Sequence, residues 1–203
     1  MKLYNSVGPN PHVVRMFAAE KGLDIDMEEV DLMGAANRQE AYLNLNPAGQ
    51  LPCLELDDGR VIAEITAICE YLDEIGDGPS LIGETPEERA TTRMWTRRVD
   101  LNICEPLANG FRYSDGLPLF KERITTIPEA ADGLKQITRE RLAWLDTLIG
   151  GQDYIGGNKI TLADVLLYCM LAFGQQVGQP FDESLPNIKP WFDRMAARAS
   201  AGA

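Results

Sequence analysis

The sequence lacks the long apolar runs and the excess of basic residues that characterise several large classes of protein. No segment approaches the roughly 20 consecutive apolar residues that a membrane-spanning helix needs. The N-terminal MKLYNSVGPNP has neither the apolar core nor the cleavage site of a signal peptide. The 19 lysines and arginines are outnumbered by 31 aspartates and glutamates, and the net charge of −12 disfavours phosphate backbones and anionic lipids. We therefore expect a cytoplasmic protein with no nucleic-acid or membrane partner.

Patterns for binding metal or forming disulfides are also missing. The chain has four widely spaced cysteines, no CxxC pair and a single histidine, His12. Zinc sites need cysteines and histidines at close, regular spacing, so we expect no metal. We expect the cysteines to be buried, reduced thiols.

The remaining composition is that of an ordinary globular protein, and the first 75 residues predict a small mixed sheet. The 203 residues are 45% hydrophobic and 25% charged, enough for one large domain or two small ones. The apolar patterns predict strands at 2–4, 24–32, 51–56 and 60–64, with helices at 11–21 and 66–75. Asp58-Gly59 predicts a hairpin between the last two strands. The order is βαβ–ββα.

The rest of the chain predicts helices only. GDGPSLIGET, residues 76–85, is rich in glycine and proline, and we place a linker at 76–84. Two capping boxes, at residues 85–88 and 161–164, indicate helix starts. Helices are predicted from 85 to about 113 with a bend near Pro106, and at 128–149, 162–177 and 190–198. The fold class is therefore α/β plus all-α, with domains at 1–75 and 85–203.

Four segments, in this order along the chain, resemble the cytosolic glutathione S-transferase family. They are NPHVVRMFAAEKG at the first helix, NPAGQLPCLELDDG (46–59), AEITAICEYLDE (63–74) and ITLADVLLY (160–168). The resemblance, which includes some similarity to the bacterial Nu class, implies a thioredoxin-like N-terminal domain followed by a helical-bundle C-terminal domain. It also implies glutathione as co-substrate and a homodimer.

The resemblance places the glutathione-binding residues in the first domain. Leu51-Pro52 matches the family's cis peptide, whose preceding residue pairs with the cysteinyl part of glutathione; the pattern alone fits a trans proline on an edge strand equally well. Glu64 and the helix start at Ile65 and Thr66 match the γ-glutamyl site, although the family usually has serine or threonine where Ile65 stands. The remaining candidates are Asn37, Arg38, Gln39 and Gln50, with a solvated loop as the alternative for Arg38.

Three residues are candidates for stabilising the glutathione thiolate. The family lowers the pKa of that thiol with a helix N-terminus and a donor side chain. We rank Asn10 and Ser6 together, followed by Tyr4. The structural alternatives are that Asn10 is the N-cap of a helix with Pro11 at its first position, that Ser6 is a turn residue and that Tyr4 packs in the core. We expect His12 to be exposed and without a catalytic role.

The sequence thus predicts a glutathione transferase that presents the thiolate to a small electrophile. We expect Phe111, Arg112 and Tyr113 to line an electrophile site between the domains, with helix packing as the alternative. Two other functions remain open: glutathione-dependent disulfide reduction, and a non-catalytic binding protein, which Ile65 favours.

Overall fold

The computed structural model describes all 203 residues, which form two compact units. The first unit comprises Met1–Leu81 and Ala199–Ala203, and the second comprises Ile82–Arg198. The predicted boundaries differ at two places: residues 76–81 of the predicted linker and the last five residues both belong to the first unit. None of the helices combines the length and the apolar character needed to cross a membrane.

The first unit has the predicted βαβ–ββα order. Its elements are β1 Lys2–Asn5, α1 Pro9–Glu20, β2 Asp26–Glu29, α2 Glu40–Leu43, β3 Cys53–Glu55, β4 Val61–Ala63 and α3 Ile65–Ile75. The sheet order is β2-β1-β3-β4, with β1 parallel to β2 and β3 antiparallel to both of its neighbours. The short helix α2 is an addition to the predicted elements.

The two central strands, β1 and β3, carry buried apolar side chains on both faces of the sheet. Successive residues of a strand point to opposite faces. Leu3 and Leu54, which pair across β1 and β3, are fully buried. On the other face, Tyr4 joins a buried cluster with Tyr42, Leu51 and Cys53.

The second unit is helical throughout. Its helices are α4 Pro86–Val99, α5 Glu105–Arg112, α6 Leu117–Phe120, α7 Ala131–Ile149, α8 Leu162–Gln176 and α9 Ile188–Ala196. A π-helical turn, Asp100–Cys104, lies between α4 and α5, just before Pro106, where a bend was predicted. Both predicted capping boxes are present, at the starts of α4 and α8. All four cysteines are buried and free, as predicted.

Candidate functional site

The topology of the first unit brings the predicted glutathione-binding segments to one end of the sheet. Asn5 pairs with Glu29, Tyr4 with Cys53, and Cys53 with Ala63. Because β3 runs antiparallel to β1 and β4, its start lies beside the ends of the other three strands. The four segments that leave this end are residues 6–10, 30–39, 50–52 and 64–66, and they carry the thiolate candidates Ser6 and Asn10 and all the predicted glutathione-binding residues.

The first helix begins earlier than predicted, and this changes the role of Asn10. Gly8 is the N-cap, with φ of 114°, and Pro9 is the first helical residue. The prediction that Asn10 is the N-cap is therefore wrong. N–H groups of the first turn have no partner within a helix, so both Pro9 and Pro11 fit there, and Gly8 can adopt a positive φ because it has no Cβ. No side chain caps the helix, so the amide of Asn10 is not committed to capping.

Ser6 is held inside the loop that precedes α1. It is 4% exposed, and its hydroxyl donates to the Val30 carbonyl at 2.7 Å. Arg15 supports the same loop: its guanidinium donates to Asn5 Oδ1 at 2.7 Å and to the Ser6 carbonyl at 3.4 Å. The Ser6 hydroxyl therefore already donates its proton to a hydrogen bond within the protein.

Tyr4 is committed to the interior of the unit. Its hydroxyl donates to Glu55 Oε2 at 2.8 Å, and its ring lies edge-on to Tyr42. Burial, followed by the Glu55 carboxylate, raises the pKa of Tyr4. Since Tyr4 pairs with Cys53, and Glu55 lies two residues further along β3, this bond points away from the end where the loops converge. This geometry favours the packing interpretation of Tyr4.

His12 is half-buried rather than exposed as expected. Its Nε2 lies 3.0 Å from the carbonyl oxygen of Ala201, in the short tail that belongs to the first unit. Burial lowers the pKa of His12 and the charge of Arg15 adds to this effect, while the bond to Ala201 opposes it. The sequence could not indicate this contact, because the partner lies 189 residues away.

The loop before β3 leaves the backbone groups of one buried residue without hydrogen bonds. The Leu51-Pro52 peptide bond is cis, as the resemblance implied. The Leu51 side chain is buried within the cluster of Tyr4, Tyr42 and Cys53. The N–H and C=O groups of Leu51 form no hydrogen bond within the protein. Since roughly 90% or more of buried backbone polar groups are paired, this residue is suited to pair with an extended ligand.

The loop from residue 36 to 39 contains one supporting residue and two accessible ones. Asn37 is 3% exposed, and its amide donates to the Gly49 carbonyl at 2.6 Å. This amide group therefore braces the neighbouring loop. Arg38 is half-buried, and its Nη1 makes only a long contact of 3.4 Å with the Ala48 carbonyl. Gln39 is exposed.

The start of α3 combines an unusual backbone with an accessible carboxylate. Glu64, the N-cap, has φ of 70° and ψ of 121°, a conformation that costs about 1–3 kcal/mol in a residue with a Cβ and is often found at ligand clamps. Its side chain is exposed and caps nothing. The first N–H groups of the helix, at Ile65 and Thr66, have no intrahelical partner. A carboxylate, free N–H groups and the positive end of a helix dipole thus occur together.

The candidate electrophile residues lie at the end of α5. Phe111 packs edge-on against Phe120 and Phe173, with ring centroids 6.2 and 5.1 Å apart. Arg112 donates to Asn109 at 2.9 Å and its guanidinium lies over Phe120. Phe111 is therefore fixed in an aromatic cluster, while Arg112 and Tyr113 are half-buried.

Comparison with known proteins decides the family. The model of the glutathione S-transferase N-terminal domain matches residues 7–75, and that of the C-terminal domain matches residues 112–199. The chain belongs to the glutathione S-transferase family. This membership supports glutathione transferase activity in general, together with the predicted thioredoxin-like fold.

Similar members of the family cover nearly the whole chain. Maleylacetoacetate isomerase of Pseudomonas aeruginosa is 33% identical over 97% of this chain and 92% of its own length. Glutathione S-transferase 2 of Saccharomyces cerevisiae is 29% identical over 98% of this chain and 87% of its own length. The crystal structure of a glutathione S-transferase domain-containing protein from Marinobacter aquaeolei, 33% identical, covers 99% of this chain and 100% of its own with a TM-score of 0.94.

The residues that hold the loops before α1 and β3 of this glutathione S-transferase in place were not predicted from the sequence. Tyr42 and Asn46 both donate to the Gln50 carbonyl, and Arg15 ties Asn5 to Ser6. One signal was available for the first pair, since Tyr42 and Asn46 are four residues apart and so share one side of a helical turn. The partner of the pair, a backbone carbonyl in another segment, was not readable from the sequence.

Proposed function

We propose that this glutathione S-transferase binds glutathione at the sheet end of its first unit and activates the thiol for attack on a small electrophile. The observation that carries the proposal is the unpaired backbone of Leu51, which lies at the end of the sheet where the first turns of α1 and α3 also lie. An extended tripeptide pairs with such a residue as a short added strand does.

Each charged end of glutathione has a complementary group nearby. The exposed Glu64 carboxylate takes the ammonium group, and the N–H groups of Ile65 and Thr66 take the γ-glutamyl carboxylate, assisted by the helix dipole. Arg38 is the cation for the glycine carboxylate, with Gln39 and Gln50 as exposed polar neighbours. Asn37 stabilises the loop that carries Gln50 through its hydrogen bond to the Gly49 carbonyl.

The thiolate is stabilised at the start of α1. The thiol proton leaves to water, and the sulfur anion is held by the first-turn field of the helix and by the amide of Asn10. We rank Asn10 ahead of Ser6, because the Ser6 hydroxyl already donates to Val30. Tyr4 comes last, because its hydroxyl donates to Glu55. The thiolate then attacks the electrophile and displaces its leaving group.

Steady-state rates with glutathione and an aryl halide test these assignments. One hydrogen bond to a charged group contributes about 1.5–3 kcal/mol, so Asn10→Ala should lower kcat/KM for glutathione by roughly tenfold or more. Ser6→Ala should lower it less, and Tyr4→Phe should leave it within about twofold of the wild type. Unchanged rates in Asn10→Ala and Ser6→Ala would remove both residues from the mechanism.

A non-catalytic binding protein is the second candidate. Ile65 favours it, because the position offers only a backbone N–H where the family usually adds a hydroxyl. Elongation factor 1-gamma of Homo sapiens is also similar, 30% identical over 78% of this chain and 35% of its own length. Bound glutathione with an unshifted thiol pKa would favour this candidate over the enzyme.

Reduction of a small disulfide would use the same thiolate. Mass analysis of the product distinguishes a thioether, which conjugation gives, from a mixed disulfide or oxidised glutathione, which reduction gives.

We further propose a homodimer, as is typical of the family, for which light scattering should give twice the chain mass of 22.5 kDa.

A further inference from the structure

Two buried side chains donate hydrogen bonds to the same backbone carbonyl, that of Gln50. The Tyr42 hydroxyl lies 2.6 Å from this oxygen and Asn46 Nδ2 lies 2.9 Å from it. Tyr42 is 5% exposed and Asn46 is 4% exposed. A carbonyl oxygen has two lone pairs, and here two donors are available for them.

The Gln50 carbonyl belongs to the peptide group that also contains the Leu51 N–H. This peptide is trans, and in a trans peptide the C=O and N–H bonds point in opposite directions. The two donors draw the carbonyl into the protein, so the Leu51 N–H must point away from Tyr42 and Asn46. That N–H has no acceptor within the protein.

The donors are themselves held in place. The Asn46 Oδ1 accepts from the Ala48 N–H at 3.2 Å, and the Asn46 carbonyl accepts from the Gly49 N–H at 2.8 Å. The Tyr42 ring packs in the buried cluster with Tyr4. Burial raises the pKa of Tyr42 far above its ordinary value, so its hydroxyl stays protonated and remains a donor.

We propose that Tyr42 and Asn46 are positioning residues that fix the direction of the Leu51 N–H for the backbone of glutathione. Neither side chain touches the ligand in this role. The inference rests on the proposed function, because it assigns a task to residues behind the same site. Loss of either donor lets the Gln50–Leu51 peptide rotate, which weakens glutathione binding and leaves the sulfur chemistry unchanged.

The test measures the Kd of glutathione and of S-methylglutathione in Tyr42→Phe, Asn46→Ala and the double variant. Each single substitution should raise both Kd values by about three- to tenfold, and by the same factor for the two ligands, because the lost contact does not involve sulfur. The double variant should lose less than the product of the single factors, since both donors act on one carbonyl. The pKa of the bound thiol should not change.

A matched control and a local probe separate positioning from general loosening. Tyr154→Phe removes another hydroxyl that is hydrogen-bonded, to Arg198 in the second unit, and should leave both Kd values unchanged. In amide NMR spectra, the Leu51 signal should shift on addition of glutathione, and shift less in Tyr42→Phe. Tyr42→Phe keeps the ring in its cluster, so it decides the question even if Asn46→Ala does not fold.

The contradicting outcomes are distinct. If the wild type binds glutathione and both variants bind with unchanged Kd, the positioning role is overturned and the proposed function stands. An equal loss in Tyr154→Phe would also overturn the positioning role. If the wild type itself binds neither ligand, the proposed function fails.

Discussion

At the scale of single residues, His12 can be followed alone, because the chain contains no other imidazole. Burial lowers its pKa, with Arg15 adding to the effect. The unfolded chain therefore binds a proton at a higher pH than the folded protein. The contribution of His12 to stability should be complete above its ordinary pKa of about 6.5 and should decline as the pH falls toward the folded value.

Proton NMR of the imidazole measures this directly. We expect a midpoint below about 6.5, and His12→Gln should show a weaker loss of unfolding free energy between about pH 7 and pH 5 than the wild type does. A midpoint at or above the ordinary value would mean that the contact with Ala201 outweighs burial.

Ile65 gives a second prediction at this scale. A serine hydroxyl at this position would add a hydrogen bond to the γ-glutamyl carboxylate, so Ile65→Ser should lower the glutathione Kd by roughly tenfold. Ile65→Ala is the matched control, since it removes the same apolar side chain without adding a hydroxyl. Equal Kd values for the two variants, measured by calorimetry, would mean that the carboxylate binds elsewhere.

The positions of the candidate site residues could be predicted from the sequence, whereas their hydrogen-bond partners could not. The resemblance to the family indicated Glu64, Leu51-Pro52 and the start of α1 as candidate places, and the strand order does bring them together. The partner of each polar group was not predictable. Tyr4 donates to Glu55, 51 residues away, and such a bond depends on strand register rather than on local pattern.

At the scale of elements, the buried pair of Lys21 and Asp73 connects the end of α1 to α3. The two charged groups lie 3.2 Å apart, with side chains 1% and 8% exposed. Lys21 also donates to the carbonyls of Gly78 and Pro79, and Asp73 accepts from the Leu81 N–H. This network attaches the segment from 76 to 81 to the first unit.

Removing one member of this pair should be costly. Asp73→Ala leaves a buried ammonium group without its counter-ion, and we expect the free energy of unfolding to fall by about 3–5 kcal/mol in urea titrations. The double variant Lys21→Met, Asp73→Leu should recover part of this loss, because it leaves no buried charge but still leaves the Gly78 and Pro79 carbonyls and the Leu81 N–H without these partners. A loss below about 1 kcal/mol in Asp73→Ala would mean that the pair is solvated in solution.

Element order was predictable, whereas two features of the connections were not. Apolar patterns identified the long helices and the positions of all four strands, although β2 is exposed at every residue and has no buried face. The glycine and proline content of residues 76–85 indicated a linker throughout, but Lys21 holds part of it. The π-helical turn Asp100–Cys104 leaves the helical pattern on either side intact, so the sequence predicted only a bend at Pro106.

At the scale of the whole molecule, the acidic charge disfavours binding of a polyanion, and the proposed ligand, glutathione, is a small peptide with two carboxylates and one ammonium group. The net charge is −12. The proposed site overcomes this unfavourable background for carboxylates with local groups: helix N-termini, backbone N–H groups and Arg38. Family membership covers both units, since the two domain models match residues in each.

Ultraviolet difference absorbance of glutathione bound to the protein, titrated with pH, measures directly whether the site activates the thiol. We expect a thiolate band with an apparent pKa well below the free thiol's value of about 8.5, displaced upward in Asn10→Ala. A band that appears only at the free thiol's pKa, with glutathione shown to be bound, would overturn the proposed activation, because the site would then bind glutathione without lowering the pKa of its thiol.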